Sequence, residues 1–459
     1  MRIHASDNVA VDLETGHKTA LQDIHAGENI IKYGFPIGHA VCEIKKGETV
    51  HTNNLKTNLS GLLKYTYSPR LKSWQPAVLP RTFQGYLREN GDVGIRNEIW
   101  IINTVGCVNK TAQKLAELTG AQYFSHPFGC SQLGGDHQVT QKILRGLVEH
   151  PNAGGILVLG LGCENNNISE FQKILKEWNP KRVKFLNVQE VQDEISEGIR
   201  LIQELRRYAD TFRRVELPAA KLRVGLKCGG SDGYSGITAN PLTGAFSDLL
   251  IAQGGASVLT EVPEMFGAET LLMERCASRE IFDRTVALIN NFKEYFVRHG
   301  QQVYENPSPG NKAGGITTLE EKSLGCVQKG GTSNIVDVLD YGDVVTKHGL
   351  NLLNGPGNDI VAVTNLTACG AHMILFTTGR GTPVGAPVPT VKIATNSRLF
   401  KQKPHWMDFN AGTLLEGEEM QTAANRLFDF CIEAANGRLT RNEENGYREI
   451  SIFKDGVTL

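Results

Sequence analysis

The chain is 459 residues long, carries a formal net charge of -1 and is 40% apolar. That length exceeds a single ordinary core and implies two or three domains. The near-balanced charge supplies no basic surface for nucleic acid or an anionic membrane, and the longest apolar runs, such as GGILVLGLG, are too short to cross a bilayer.

In chain order, the start MRIHASDNVAVDLETG has no basic segment followed by an apolar one, so no signal peptide is expected and the chain reads as cytoplasmic. Residues 1–63 hold short strand-like pieces (NVAVDL, ENIIKYGFPIGHAVCEI, ETVHTNNL) between Gly-containing turns, which predicts a small all-β unit. Its His4, His17, Lys18, Lys32 and His51 are candidate acid–base groups, although a lone His or Lys on such a unit is commonly just solvated. Residues 64–82, KYTYSPRLKSWQPAVLPRT, hold three prolines and no periodicity, and predict an extended linker.

Strand and helix then alternate through two α/β regions, 83–215 and 216–459. IWIINTVGC leads into a helix from Asn109 to Thr119, and GILVLGLGC into ISEFQKILKEW. VKFLNV precedes a long amphipathic helix whose Val191, Ile195, Ile199, Ile202, Leu205, Tyr208 and Phe212 step by three and four. LRVGLKC is followed by a Gly-rich loop and the helical GAFSDLLIAQG; ASVLTEV reads as a short strand and 268–299 as two helices. DIVAVTNLTACG and TVKIATNS supply the last predicted strands. Continuous apolar strands alternating with helices imply a parallel, doubly wound sheet.

Ligands of such sheets bind beyond the carboxyl ends of the strands. Cys107, Cys163, Cys228 and Cys369 are expected there, with Asn103, Glu164, Asn165, Asp232, His372 and Asn396 beside them. The stretch HPFGCSQLGGDH (126–137), with Cys130, joins the same rim if Ala121–Phe124 is a strand. The cysteines are therefore predicted to converge in space. Six of the nine touch a glycine, no CxxC pair occurs, and the odd count leaves at least one thiol outside any intrachain disulfide. Three readings stay open: small buried packing residues, a redox-sensitive iron site, or a thiolate nucleophile. CGGSDGYSGITANP (228–241) suits an oxygen-rich substrate pocket or a plain turn, and lacks the spacing of a phosphate loop. Arg380 in TTGRGTPVGAP and Arg96-Asn97 in GDVGIRNE are candidate carboxylate clamps or exposed loop residues.

Taken together, GYLRENGDVGIRN, NTVGCVN, HPFGCSQLGGDH, LGLGCENN, LKCGGSDGYSGITANP and ACGAHMILFTTGRGTPVGAPVPTVKIATNS resemble the altronate/galactarate dehydratase family of sugar-acid hydro-lyases. HASDNVAV, GHKTAL, KYGFPIGHA and VHTNN resemble that family's amino-terminal β-clip (SAF-type) domain. The likeness covers nearly the whole chain; Asn53 stands where a second histidine is expected. It implies a β-clip domain, a dimerisation region within 83–215, a Rossmann-like catalytic region over 216–459, and a homodimer acting on a small-molecule sugar acid. It further implies iron-dependent dehydration of an aldonic or aldaric acid to a 2-keto-3-deoxy acid. Alternatives are a related lyase expelling another group, such as sulfite, and a non-catalytic sugar-acid binder.

The reaction needs a base for the proton alpha to the carboxylate, stabilisation of the enediolate and help for the departing C3 hydroxyl. On this reading Cys107, Cys130 and Cys163 hold Fe2+ or an iron–sulfur cluster, another divalent metal being an alternative. Asp136, His137 and Glu164 supply harder ligands or acid–base function, and Asp232 acid–base function. Arg96, Asn97, Asn240, His372 and Arg380 grip the substrate, while His17 and Lys18 close over the site, within the chain or across a dimer.

Overall fold

The computed structural model describes residues 1–59, 61–72, 79–175 and 177–459. Positions 73–78 of the expected linker lie outside the described residues.

The first 59 residues form two small antiparallel sheets. One has the order β1 (Val9–Val11), β2 (Lys18–Ala20), β5 (Thr49–Val50); the other is β3 (Asn29–Lys32), β4 (Phe35–Ala40), β6 (Leu55–Lys56). Val9, Val11, Ile30, Ile37, Val50 and Leu55 fill the space between them. Period-2 alternation also turns Lys18 and Lys32 inward, so a partner must neutralise them.

A third antiparallel sheet, β13 (Arg214–Pro218), β7 (Thr82–Leu87) and β8 (Val93–Gly94), accompanies two parallel ones. The smaller parallel sheet runs β10 (Gln122–Phe124), β9 (Glu98–Asn103), β11 (Ala153–Gly160), β12 (Val183–Asn187). Every residue of β11, AGGILVLG, is buried, as a strand covered on both faces requires. The larger runs β16 (Ile335–Leu339), β17 (Gly349–Leu353), β15 (Ala256–Leu259), β14 (Arg223–Cys228), β18 (Met373–Thr378), β19 (Thr390–Ala394), β20 (Phe409–Asn410). All its neighbours pair in parallel.

One predicted strand is a helix. DIVAVTNLTACG forms the helix Asp359–Ala368, started by the Asn358 side chain accepting from the Val361 amide. All eight residues from Val361 to Ala368 are buried, and a run covered all round carries no periodicity to separate helix from strand. The strand that follows starts only at Met373, so Cys369 and His372 stand at its amino end, opposite the expected rim. The sequence reading also passes over β16 and β17, whose apolar runs are short.

Candidate active site

Two parallel sheets give two carboxyl-end rims, so the predicted single convergence divides. His17, Lys18, Asp232, Asn240 and Arg380 gather at the large-sheet rim. Cys107, Cys130, Cys163, His137 and Glu164 belong to the small-sheet rim.

At the large rim the β-clip domain docks backbone to backbone. A Cβ on either Gly233 or Gly315 would run into the Gly16 carbonyl, so the seam closes only because those positions are glycine. Gly315 has φ +99, which disfavours any side chain there. Behind the seam lies a buried triad. Lys18 Nζ donates to Glu321 Oε2 at 2.8 Å and to the Gly315 carbonyl at 2.7 Å, while Lys32 Nζ donates to Glu321 Oε1 at 2.7 Å. Thr317 adds its amide at 2.9 Å and its hydroxyl at 2.8 Å. Burial pushes Glu321 up, but Lys18 and Lys32 more than reverse this and hold it well below the carboxylate range. One carboxylate cannot neutralise two ammoniums. Lys18 carries the deficit: burial lowers it to about 8 against the pull of Glu321, and Lys32 adds to the fall. Lys32 is held above its ordinary value by Glu321, overcoming its own burial. Nearby, His17 and His51 lie 5.5 Å apart between ring centroids, and His51 Nε2 donates to the Lys312 carbonyl at 3.0 Å. Burial and the charge of His51 lower His17.

Strand ends supply the rest of the rim. Cys228 ends β14; its Sγ lies 3.3 Å from Cys326 Sγ, and both thiols donate to Glu264 Oε2 at 3.1 Å. Lys329 Nζ stands 2.8 Å from Cys228 Sγ, and Lys322 Nζ 2.8 Å from Glu264 Oε1. Glu261, after β15, has the left-handed φ of +70, costly for a side-chain-bearing residue. Its buried carboxylate pairs with Lys227 and accepts from Lys329 at 3.0 Å and the Cys228 amide at 3.1 Å. Burial and the adjacent Glu264 raise Glu261. Glu264 is pulled down by Lys322, Lys227 and Lys329 despite its burial. Cys326 is pushed well above the ordinary thiol value by its hydrogen bond to Cys228 and by burial.

Of these groups, Cys228, Glu264 and Lys322 line a cleft of about 510 Å³ together with Asn311, Asp359 and Arg380. Lys322 also lines an inner pocket with Tyr33, Asp232, Asn240, Glu321 and Cys326. Asp232 is buried and raised by burial, although Thr395 Oγ1 and Ser235 Oγ each donate to it at 3.0 Å and the Tyr234 amide at 3.1 Å. Asn240 accepts from Thr377 Oγ1 at 2.6 Å, and the exposed Arg380 reaches across to the Gly310 carbonyl at 3.0 Å.

The ligand atoms of Cys228, Glu264 and Cys326 all lie within 4.8 Å of one another, and among the described residues no other His, Cys, Asp and Glu group is so compact. Two sulfurs and a carboxylate suit a borderline divalent ion, and the neighbouring lysines offset the negative charge of the deprotonated set. These residues can hold a metal ion. Cys107, Cys130 and Cys163 are exposed and lie too far apart to grip one ion in that way.

Three predicted substrate groups reach neither rim. Arg96 is sealed in a bidentate pair with Glu443, at 2.7 and 2.9 Å. Asn97 bridges Arg88, at 2.7 Å, and the Ala209 carbonyl, at 2.8 Å. His372 accepts from the Arg223 amide at 3.1 Å, and burial holds it well below its ordinary value. At the small rim, Glu164 accepts from Thr104 Oγ1 at 2.6 Å and from the Leu161 and Gly162 amides. Asp136 accepts the Asp455 and Gly456 amides at 2.8 and 2.9 Å and pins the carboxyl-terminal segment.

Sequence reasoning missed Glu261, Glu264, Glu321, Lys322, Cys326 and Lys329 as site residues. LEEKSLGC, on which the sequence analysis places no element, is a helix with all eight residues of Leu319–Cys326 buried. The available signal was the charged run EEK two residues ahead of a Gly-Cys pair.

Family models match three consecutive parts of the chain: the altronate/galactarate dehydratase SAF domain at 1–58, the D-galactarate dehydratase/altronate hydrolase second domain at 85–210, and the D-galactarate/altronate dehydratase C-terminal region at 219–458. The chain is 54% identical to the altronate dehydratase of Bacillus subtilis (strain 168), over 100% of this chain and 95% of that protein. It is 51% identical to the altronate dehydratase of Escherichia coli (strain K12), over 100% and 99%. Against the galactarate dehydratase (L-threo-forming) of the same organism the identity is 31%, over 95% and 93%.

Proposed function

The chain belongs to the altronate/galactarate dehydratase family, a hydro-lyase family that dehydrates sugar acids, and on that premise we propose that it dehydrates altronate in the cleft beneath the β-clip domain. The preference for altronate rests on identities of 54% and 51% to altronate dehydratases against 31% to a galactarate dehydratase. The observation that supports the location is the buried Lys18–Glu321–Lys32 triad, whose Glu321 lines a small inner pocket with Tyr33, Asp232 and Asn240.

In this reading Arg380, at the open mouth, receives the substrate carboxylate, and Asn311 and Asn240 bind hydroxyls. Lys18, brought near 8 by burial, is an amine often enough at working pH to accept the alpha proton, with His17 beside it as a second acid–base group. Lys32 keeps Glu321 ionised, so the proton that Lys18 gains is stabilised at once by that carboxylate. Asp232, held up by burial, is suited to give a proton to the departing C3 hydroxyl. Cys228, Glu264 and Cys326 would hold Fe2+, which supplies electrostatic stabilisation of developing negative charge when bound. His137 and Glu164, at the other rim, take no part in this scheme.

Anaerobic turnover of altronate and galactarate with ferrous iron tests the substrate, and Lys18→Met tests the base. Loss of about 10²–10⁴-fold in kcat, with folding intact, is expected for removal of a general base; near-normal turnover would remove Lys18 from the scheme. A homodimer and a cytoplasmic location complete the proposal. Sedimentation of the purified chain as a monomer would overturn the first. Among the described residues, no helix is long and apolar enough to cross a membrane.

A further inference from the structure

The turn between β3 and β4 is built against local preference. Lys32 pairs with Phe35, so Tyr33 and Gly34 are its two central residues, and their φ angles are +60 and +81. A two-residue hairpin with both central residues left-handed asks for Asn-Gly, Asp-Gly or Gly-Gly. Gly34 meets that demand. Tyr33 does not, because its Cβ crowds the backbone in the left-handed region. Strain of this kind persists where the surroundings fix it, and it points to a use for the side chain.

The side chain reaches out of the β-clip domain. A Cβ on Gly236 would stand 2.3 Å from the Tyr33 hydroxyl oxygen, and one on Gly325 would stand 3.7 Å from it. Gly236 lies between β14 and the helix Ala239–Ala252, and Gly325 lies on the helix Leu319–Cys326. Two glycines from different elements therefore leave the slot that the phenol enters. Thr318, which caps the second helix, donates to the Ile37 carbonyl of β4 at 2.6 Å and fixes the hairpin there. Lys32 Nζ lies 4.8 Å from the centre of the Tyr33 ring. The phenol thus lines the inner pocket with Asp232, Ser235, Asn240 and Lys322. Burial raises the phenol, and Glu321 adds to this against the pull of Lys32, so the hydroxyl keeps its proton.

That pocket has room for one group about the size of a water molecule. A sugar acid does not fit inside it; a single hydroxyl does. We propose that the inner pocket receives the departing C3 hydroxyl and that Tyr33 donates a hydrogen bond to its oxygen, as a catalytic residue supplied by the β-clip domain. The inference rests on the cleft reading of the dehydration given above. In the step, the C2 proton passes to Lys18. The electron pair of that C–H bond, held first in the enediolate, becomes the C2–C3 double bond of an enol. The C3–O pair leaves with the oxygen, which takes the Asp232 proton and becomes water. The Tyr33 proton stays on its own oxygen, and its hydrogen bond stabilises the charge that gathers on the leaving oxygen as the bond breaks.

The test compares full-length wild-type, Tyr33→Phe and Lys18→Met proteins, supplied with ferrous iron without oxygen, acting on altronate and galactarate in D2O. kcat and KM are measured, and unreacted substrate is recovered for deuterium at C2 by mass spectrometry. Tyr33→Phe should lose about 10²–10³-fold in kcat with KM little changed. Its recovered substrate should gain deuterium, because an enediolate that cannot expel its hydroxyl takes a deuteron back from Lys18. Wild-type kcat in Tyr33→Phe would overturn the proposal. So would a slow variant without deuterium, since a general structural defect slows proton removal and expulsion alike. Tyr33→Asn, which suits the turn and lacks the phenol, should be as slow; wild-type kcat there would overturn the proposal even if Tyr33→Phe failed to fold. Lys18→Met should lose both turnover and exchange. Full turnover in Lys18→Met beside a slow, exchanging Tyr33→Phe would remove the base assignment and leave the leaving-group pocket standing. No turnover of either acid by the wild-type protein would remove the cleft reading and this proposal together.

Discussion

The two strand-end rims start from the same grammar, parallel strands ending in Gly-Cys or Cys-Gly, and finish as opposites. The large rim buries Cys228 and Cys326 under lysines and carboxylates and is roofed by another domain. The small rim leaves Cys107, Cys130 and Cys163 exposed, with Gln189 beside Cys163 and the Glu164 carboxylate taken up by backbone amides. A strand-end cysteine thus has no fixed chemistry of its own. Burial and the charges supplied from distant parts of the chain decide whether a thiol sits in an ion-paired cleft or stands open to solvent.

The sharpest way to break this contrast is Lys18→Met, expected to cut altronate turnover by about 10²–10⁴-fold. A Lys18→Met protein with full turnover would shift the catalytic role away from the roofed rim. The pH dependence belongs with it: kcat should rise through about pH 8, because the base must lose its proton, and this limb should vanish in the variant. An unchanged pH profile in Lys18→Met would contradict the assignment.

Next in size is Arg96→Ala, at the amino end of the small sheet. Removing one member of the buried pair leaves Glu443 with only Arg448, at 3.2 Å, and should cost stability towards the lower end of about 3–5 kcal/mol. Denaturant titration checks this, and the surviving folded fraction should keep its KM for altronate. A raised KM without destabilisation would restore Arg96 to substrate binding. Gly233→Ala forces a methyl group into the Gly16 carbonyl and should cost about 1–3 kcal/mol, with faster proteolysis between residues 59 and 79 and lower turnover. A fully active Gly233→Ala enzyme would mean that the roof is dispensable.

The smallest effect is expected in mild acid. Burial lowers His150 to about 3 and holds His372 well below its ordinary value, at the contact between the two parallel sheets. Between about pH 6.5 and those lowered values the unfolded chain binds protons that the folded chain does not, so stability falls as pH drops below about 6.5. His150→Gln should flatten that fall; an unaltered slope would assign the acid sensitivity elsewhere.

Much of the small sheet was legible. β9 and β11 are apolar runs ended by Gly-Cys, and the helix Asn109–Thr119 begins and ends where its pattern does. The helix Asp359–Ala368 was not legible, because burial on every side erases the period that distinguishes it from a strand. The large rim was half legible. Asp232 and Arg380 are polar residues beside glycines, and Lys18 follows a Gly-His pair. Glu321 and Lys322 look like ordinary helix-surface charges, and their meaning arises only when Lys18 and Lys32, from the other end of the chain, arrive against them. The sequence expectation of a single convergence failed for the related reason that two sheets, each with its own rim, share one alternating pattern.

The glycine seam between Gly16, Gly233 and Gly315 bears on how such an enzyme can be assembled. Backbone laid against backbone, locked by one carboxylate between two lysines, is a recognition surface built into the two parts themselves. Of the residues that join them, Tyr65 donates to Glu269 and Tyr67 packs on Phe282, so this part of the segment is seated on the base. The same architecture can therefore be delivered as two polypeptides, a small roof and a large base, provided that each is made in sufficient amount for the seam to find itself.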